Sequence, residues 1–293
     1  MMTMKKLVNF NGLLMRTFVF SALILLIGLT ACEDDQVAGV SSETVLEETA
    51  FAENVFSNIT YVIEEATGIS SLSNGRFIGG FGPKDCATRI VDEPEEGGYP
   101  KVITLDYGEG CESRGGMIIQ GKIVTTITGS RDEAGASIIT TFEDLYVNDH
   151  HIEGTYTHTF VSAYVHTATL KGGKITTPEG ETFTRESTHT YEMISGMDTE
   201  DRSDDVFQIT GSSSGVTPEG VNYSKTITSP LISARNCPWI TSGTIETVID
   251  EVTSVIDFGD GECDNIATLT EDGETEEITM DFHIKRRVKM HRG

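Results

Sequence analysis

Basic residues are scarce in this 293-residue chain, where 21 Lys and Arg stand against 46 Asp and Glu for a formal charge of −25. Nucleic-acid binding needs clustered cations that release counterions from phosphates, so the charge balance argues against RNA and DNA as partners. Proline is limited to 7 residues and aromatics to 8%, with a single Trp. That composition fits neither a collagen-like nor a disordered chain. Long apolar runs are also missing: FVFSALILLIGL, from Phe18 to Leu29, is 12 residues, short of the roughly 20 that a spanning helix needs. The five cysteines never fall in close C-x-x-C pairs, which argues against a zinc site. What is abundant is Thr, at 38 residues, and Gly, at 30. Both point to strands and tight turns rather than to a helical bundle, and the length suffices for one large or two small domains with a core of their own.

Residues 1–31 carry Lys5, Lys6 and Arg16 and no acid, ahead of and around the short apolar run. This is the layout of a signal peptide. The segment Leu29-Thr30-Ala31-Cys32 resembles the lipobox of bacterial lipoproteins: an aliphatic residue, two small ones, then the Cys that becomes the mature N-terminus. The resemblance implies a lipid-bearing Cys32. Two or more acyl chains suffice for stable anchoring, each buried CH₂ adding about 0.8 kcal/mol. Glu33-Asp34-Asp35-Gln36 follows directly, similar to the acidic patch that marks Bacteroidetes lipoproteins for the outside of the outer membrane. The expected location is therefore the outer membrane, with the domain facing the cell surface or the periplasm.

With Cys32 assigned to lipid, Cys86, Cys111, Cys237 and Cys263 remain, in a compartment that permits disulfides. Four cysteines allow three connectivities, and spacing alone does not choose. The gaps of 25 and 26 residues, however, enclose similar sequences: Cys86-ATRIVD, a turn, KVITLDYGEG-Cys111, and Cys237-PWITSGTIETV, a break, TSVIDFGDGE-Cys263. We read one hairpin used twice, each copy stapled across its open end, Cys86 to Cys111 and Cys237 to Cys263. Loop-closure estimates give each staple about 3–4 kcal/mol.

Residues 32–41 read as an acidic tether, and 42–293 as a single β-rich domain containing both Cys motifs, 86–111 and 237–263. Ser42 is placed to cap a helix over 43–66, whose Val45, Ala52, Val55, Phe56, Ile59, Val62, Ile63 and Ala66 make one apolar face. From about residue 76 onward, alternating segments broken by Glu96-Gly97-Gly98, Gly172-Gly173, Pro178-Glu179-Gly180, Pro218-Glu219-Gly220 and Asp272-Gly273 predict antiparallel hairpins. In 181–194, Thr182, Thr184, Glu186, Thr188, Thr190 and Glu192 alternate with Phe183, Arg185, Ser187, His189, Tyr191 and Met193. One wet face and one packed face follow from this pattern. The fold class expected is mainly β: a large antiparallel meander sheet, curved or partly barrel-like, with one N-terminal amphipathic helix packed on it.

Taken together, Asp85-Cys86, ITLDYGEGC ending at Cys111, Gly121-Lys122-Ile123, KITTPEGETFT from Lys174, Asp204-Asp205-Val206 with Ile209-Thr210-Gly211, Asn236-Cys237-Pro238-Trp239-Ile240 and DFGDGECDN from Asp257 resemble a family of uncharacterised outer-membrane lipoproteins of Bacteroidetes. The resemblance covers roughly residues 80–282. It implies an envelope lipoprotein and brings no catalytic or cofactor residues with it.

Four further patterns bear on chemistry. Gly211-Ser212-Ser213-Ser214-Gly215 matches the G-x-S-x-G nucleophile elbow, but its flanks read as strand and turn rather than strand and helix. Asp106, Glu109 and Glu112 in one Cys motif, and Asp257, Asp260 and Asp264 in the other, are oxygen donors of the kind Ca²⁺ takes, set among glycines that equally suit a bulged turn. His150-His151, His158, His166 and His189 lie on several strands without the short gaps typical of ligands. The C-terminal Lys285, Arg286, Arg287, Lys289 and Arg292 could touch anionic lipid head groups. The expected function is a membrane-anchored, non-catalytic binding or structural module of the envelope, partnered by the membrane through Cys32 and by an unknown protein or glycan, without cofactor or metal. The alternative is a carrier of a hydrophobic ligand held in a cavity between the N-terminal helix and the sheet.

Overall fold

The computed structural model describes residues 87–95, 97–113 and 117–280, with six further positions between 52 and 63. Fourteen strands form one antiparallel sheet: β1 (Thr88–Asp92), β2 (Lys101–Asp106), β3 (Cys111–Glu112), β4 (Ile118–Ile127), β5 (Ser137–Val147), β6 (His150–Phe160), β7 (Val165–Thr176), β8 (Thr182–Ser195), β9 (Val206–Val216), β10 (Asn222–Ala234), β11 (Ile240–Ile249), β12 (Val252–Asp260), β13 (Ile266–Glu271) and β14 (Glu274–Thr279). Spatial order follows chain order, except that β3 pairs with β4 beside β2. The sheet does not close: β1 and β14 stand at opposite ends of the order. A meander of this kind follows from connections too short for a parallel crossover.

Alternation divides the sheet into two faces. On the wet face, Thr157 pairs with Thr169, Thr169 with Thr188, Thr188 with Ser212 and Ser212 with Thr226, a hydroxyl row running across five strands from β6 to β10. In the neighbouring row Thr167 and Thr190 approach to 3.3 Å. β-Branched Thr suits this position, since it fills the pleat and leaves a hydroxyl in water.

The packed face carries the core. Its main cluster runs through Ile103 and Leu105 of β2, Ile119, Ile123 and Ile127 of β4, Ile138, Leu145 and Val147 of β5, Ile152 and Phe160 of β6, Leu170 and Ile175 of β7, and Phe183 of β8. Each fully buried Ile, Leu or Phe contributes about 1.5–3 kcal/mol. Ala52, Val55, Phe56, Ile59 and Ile63 belong to the same cluster. These five and Thr60 are the described part of the expected helix; all six are helical and buried, and Thr60 Oγ1 donates to the Phe56 carbonyl one turn back. The remainder of 43–66, including Ser42, lies outside the described residues. Beyond β8 the same face turns polar: Ser187 of β8 pairs with Ser213, and Thr247 with Ser254, all four buried. The apolar clusters there are small, Ile209 with Leu231 and Ile240, and Tyr223 with Ile249.

Two sequence readings differ from the structure. Gly172-Gly173 is a bulge inside β7 rather than a turn, so the segments expected on either side of it are one strand. Gly172 has φ 59°, and a Cβ on Gly173 would sit 2.4 Å from the Arg185 carbonyl oxygen, so glycine is needed for the neighbouring backbone to close in. Strand β9 also continues through Gly211-Ser212-Ser213-Ser214-Gly215 to Val216.

Candidate functional site

The repeated motif is realised as two hairpins far apart in the strand order, each a pair of neighbouring strands. β1 pairs with β2, and β11 with β12, both antiparallel. Cys237 and Cys263 form the expected disulfide across the open end of the second hairpin, with Cα atoms 5.8 Å apart. Cys111 is also disulfide-bonded; Cys86 and Cys32 lie outside the described residues, as do residues 1–41 and the basic tail residues Lys285, Arg286, Arg287, Lys289 and Arg292.

The two copies share a turn at the residue level. Asp106 Oδ1 accepts from Gly108 N at 2.9 Å, and Asp257 Oδ1 accepts from Gly259 N at 2.9 Å. Gly108 and Gly259 both have positive φ, 58° and 91°. In the first copy the hydrogen bond from Gly108, followed by Lys122 at 3.3 Å, holds the Asp106 carboxyl below the usual carboxylate range. In the second copy the cross-strand neighbours of Asp257 are Thr244 and Thr268. No Lys, Arg or His occurs anywhere from Ile240 to Thr279, against twelve Asp and Glu.

This second copy also opens a slot. β12 pairs with β13 only from Ser254 to Asp257. Past that point Asp260 stays with Ser242 of β11, while Ile266 and Ala267 pair with Thr279 and Ile278 of β14. The sheet forks between Phe258–Asp260 and Ile266–Ala267. A cavity of about 460 Å³ fills the fork, lined by Asp257, Phe258, Asp260, Glu262, Asp264 and Ile266 among others, within the size range of small-ligand sites. Its walls are fixed at three points: Gly261 N donates to the Thr241 carbonyl at 2.8 Å, Ile266 N donates to Asp264 Oδ1 at 2.9 Å, and Cys263 is tied to Cys237. Phe258 packs on the Ile209, Leu231 and Ile240 cluster, whereas Ile266 is 41% exposed. The carboxylates are distributed along the slot; among the described residues no three His, Cys, Asp or Glu side chains converge on a point that could hold a metal ion. The Ca²⁺ reading of Asp106, Glu109 and Glu112, or of Asp257, Asp260 and Asp264, therefore finds no support in the geometry.

The histidines divide into two groups. His158 of β6 and His166 of β7 meet on the packed face with ring centroids 5.5 Å apart, between Tyr156 at 5.2 Å from His158 and Tyr191 stacked at 4.9 Å on His166. His189 of β8 lies in the row of His158, paired with Ala168. His151 stacks on Tyr146 at 4.7 Å, and His150 Nδ1 lies 2.9 Å from the Asn148 carbonyl, at the β5–β6 hairpin. Ser213, the centre of the G-x-S-x-G match, is buried mid-strand with Ser187 on one side and Lys225 on the other. Gly211 serves the sheet, since a Cβ there would lie 2.1 Å from the Thr188 carbonyl oxygen.

Sequence reasoning found the acids of the second copy but not the slot. The fork depends on where two ladders stop, which no local spacing records. The absence of any cation across Ile240–Thr279 was the available signal. Comparisons with protein families, curated proteins and solved structures find no match.

Proposed function

We propose that this protein is an outer-membrane lipoprotein of the Bacteroidetes type, anchored through lipid on Cys32, whose β domain is a non-catalytic binding module. The observation that carries the reading is the solvent-open acidic slot at the second Cys hairpin, a concavity near one end of the sheet. The Leu29-Thr30-Ala31-Cys32 segment supports the anchor, and the Cys237–Cys263 bond fits an oxidising compartment. In this reading the helix over 43–66 lies against β2–β8 as a structural cover. The burial of Ala52, Val55, Phe56, Ile59 and Ile63 among sheet residues favours that role over the walls of a hydrophobic-ligand cavity.

Metabolic labelling with a fatty-acid probe tests the anchor. The intact protein takes up label and the Cys32→Ser variant does not. Equal labelling of both removes the lipoprotein assignment. Protease treatment of whole cells then distinguishes the surface from the periplasmic face.

A further inference from the structure

Among the described residues no backbone hydrogen bond joins the helix to the sheet. The contact is made by side chains: Ala52, Val55, Phe56, Ile59 and Ile63 enter the apolar cluster of β2–β8, and Thr60 is hydrogen-bonded to Tyr156 of β6 through their hydroxyls. Tyr156 packs on that cluster and Phe160 belongs to it, and the two flank His158 on the same face of β6. The seam between helix and sheet therefore runs beside the place where His158 and His166 meet, their ring centroids 5.5 Å apart.

His158 is the weak point of that seam. It is buried, and neither of its ring nitrogens has a hydrogen-bond partner among the described residues. Such a group is tolerated neutral and becomes costly when charged. The titratable or charged side chains that share its face are Tyr156 on its own strand, His166 on β7, and Arg185, His189 and Tyr191 on β8. From β5 come Ile138 and Thr140, and the described helical residues bring no titratable group. No carboxylate is among them, so an imidazolium at this position meets a second imidazole and no counter-charge. Burial, then His166, accordingly lowers the His158 pKa.

A protonated ring needs water. Turning it toward the wet face would break the β6–β7 ladder, which is unbroken from Thr155–Lys171 to Phe160–His166. Lifting the helix gives up apolar contacts and one hydroxyl pair, and leaves every ladder in place. Local opening of this kind lies below global unfolding in free energy.

We propose that the helix–sheet seam is an acid-opened clasp, closed while His158 and His166 are neutral and released from the packed face of β5–β8 when the pair takes up a proton. The closed state excludes the proton and the open state accepts it. Opening therefore grows as the pH falls below 6.5, the ordinary imidazole value, by up to about tenfold per pH unit for one group. The inference goes beyond the binding-module reading, in which the helix is a fixed cover, and uses neither Cys32 nor the slot.

Hydrogen exchange of the full mature chain, disulfides intact, tests it, read by mass spectrometry at pH 7 and pH 5 and corrected for the intrinsic rate. Protection of peptides spanning residues 52–63 is expected to fall about tenfold or more on acidification, while that of β6 and β7 amides changes far less. His158→Phe with His166→Phe replaces both imidazoles by rings that do not titrate and should abolish the fall. His151→Phe, at the β5–β6 hairpin, should leave it as in the parent. If the double variant does not fold, His158→Phe alone is read in the same way. The proposal is overturned if protection at 52–63 does not respond to pH, if β6 and β7 lose protection in step with it, or if the variant without the titrating ring responds like the parent. A helix that stays closed at pH 5 leaves the lipid anchor and the slot untouched, and a failed fatty-acid labelling leaves this measurement untouched.

Discussion

His158 is 1% exposed, and neither ring nitrogen has a hydrogen-bond partner among the described residues. Burial, and after it the neighbouring His166, lowers its pKa from 6.5 to about 3. The folded protein therefore keeps this imidazole neutral where the unfolded chain takes up a proton. Its contribution is complete above about pH 6.5 and is lost as the pH falls from there toward 3, at about 1.4 kcal/mol per pH unit. Glu93, Glu153, Asp106 and Asp201, whose carboxyls are held below their usual range, lose their contributions only in more acidic solution. His158→Phe keeps an aromatic ring among Tyr156, His166 and Phe160 and removes the titrating group. Between pH 6.5 and 5 the parent is expected to lose on the order of 2 kcal/mol of unfolding free energy in urea titrations, and the variant much less. Equal losses in both would show that His158 is not held neutral. None of this was legible before the register was known. Sequence placed Tyr191 with His189 on one face of their strand, but the contact between His158 and His166 is a property of the β6–β7 ladder.

At the scale of elements, the strands were readable because each alternates apolar and polar residues between turn residues of known chemistry. β5 begins and ends where its pattern does, at Ser137 and Val147, and β8 shows the Thr/Glu and Phe/His/Tyr faces that its sequence displays. Gly172-Gly173 misleads because a glycine pair serves a bulge as readily as a turn, and only the strand opposite decides which. The second Cys hairpin was also readable, being a repeat of the first. Its energetic role is testable. Closing a 26-residue separation is worth about 3–4 kcal/mol, and Cys237→Ser with Cys263→Ser should lower stability by about that amount. Hydrogen exchange should locate the loosening in β11, β12 and the start of β13, with the β5–β7 region unchanged when both proteins are compared well below their unfolding transitions. Loss spread evenly over the sheet would instead mean that the bond constrains the unfolded chain alone and does nothing to hold the fork.

The molecule as a whole is asymmetric along its strand order, and the asymmetry is both apolar and electrostatic. One cluster ties β2 through β8 together, whereas from Val252 to Thr279 only Ser254 and Ala267 are buried. The same end holds the twelve acids and no cation of Ile240–Thr279. Little apolar burial and strong like-charge repulsion both lower the free energy needed to open a segment. Exchange of β12–β14 amides should therefore run at least tenfold faster than that of β5–β7 amides, as read by mass spectrometry of peptides from the native protein. Salt separates the two causes. Raising sodium chloride from about 50 mM to about 500 mM shortens the screening length from over 10 Å to a few ångströms, so the repulsive part of the difference should shrink while the packing part persists. Slower exchange at β12–β14 with little change at β5–β7 is the expected outcome. Uniform protection along the strand order, insensitive to salt, would mean that all fourteen strands open as one cooperative unit and that the acidic end is held by something other than the contacts described.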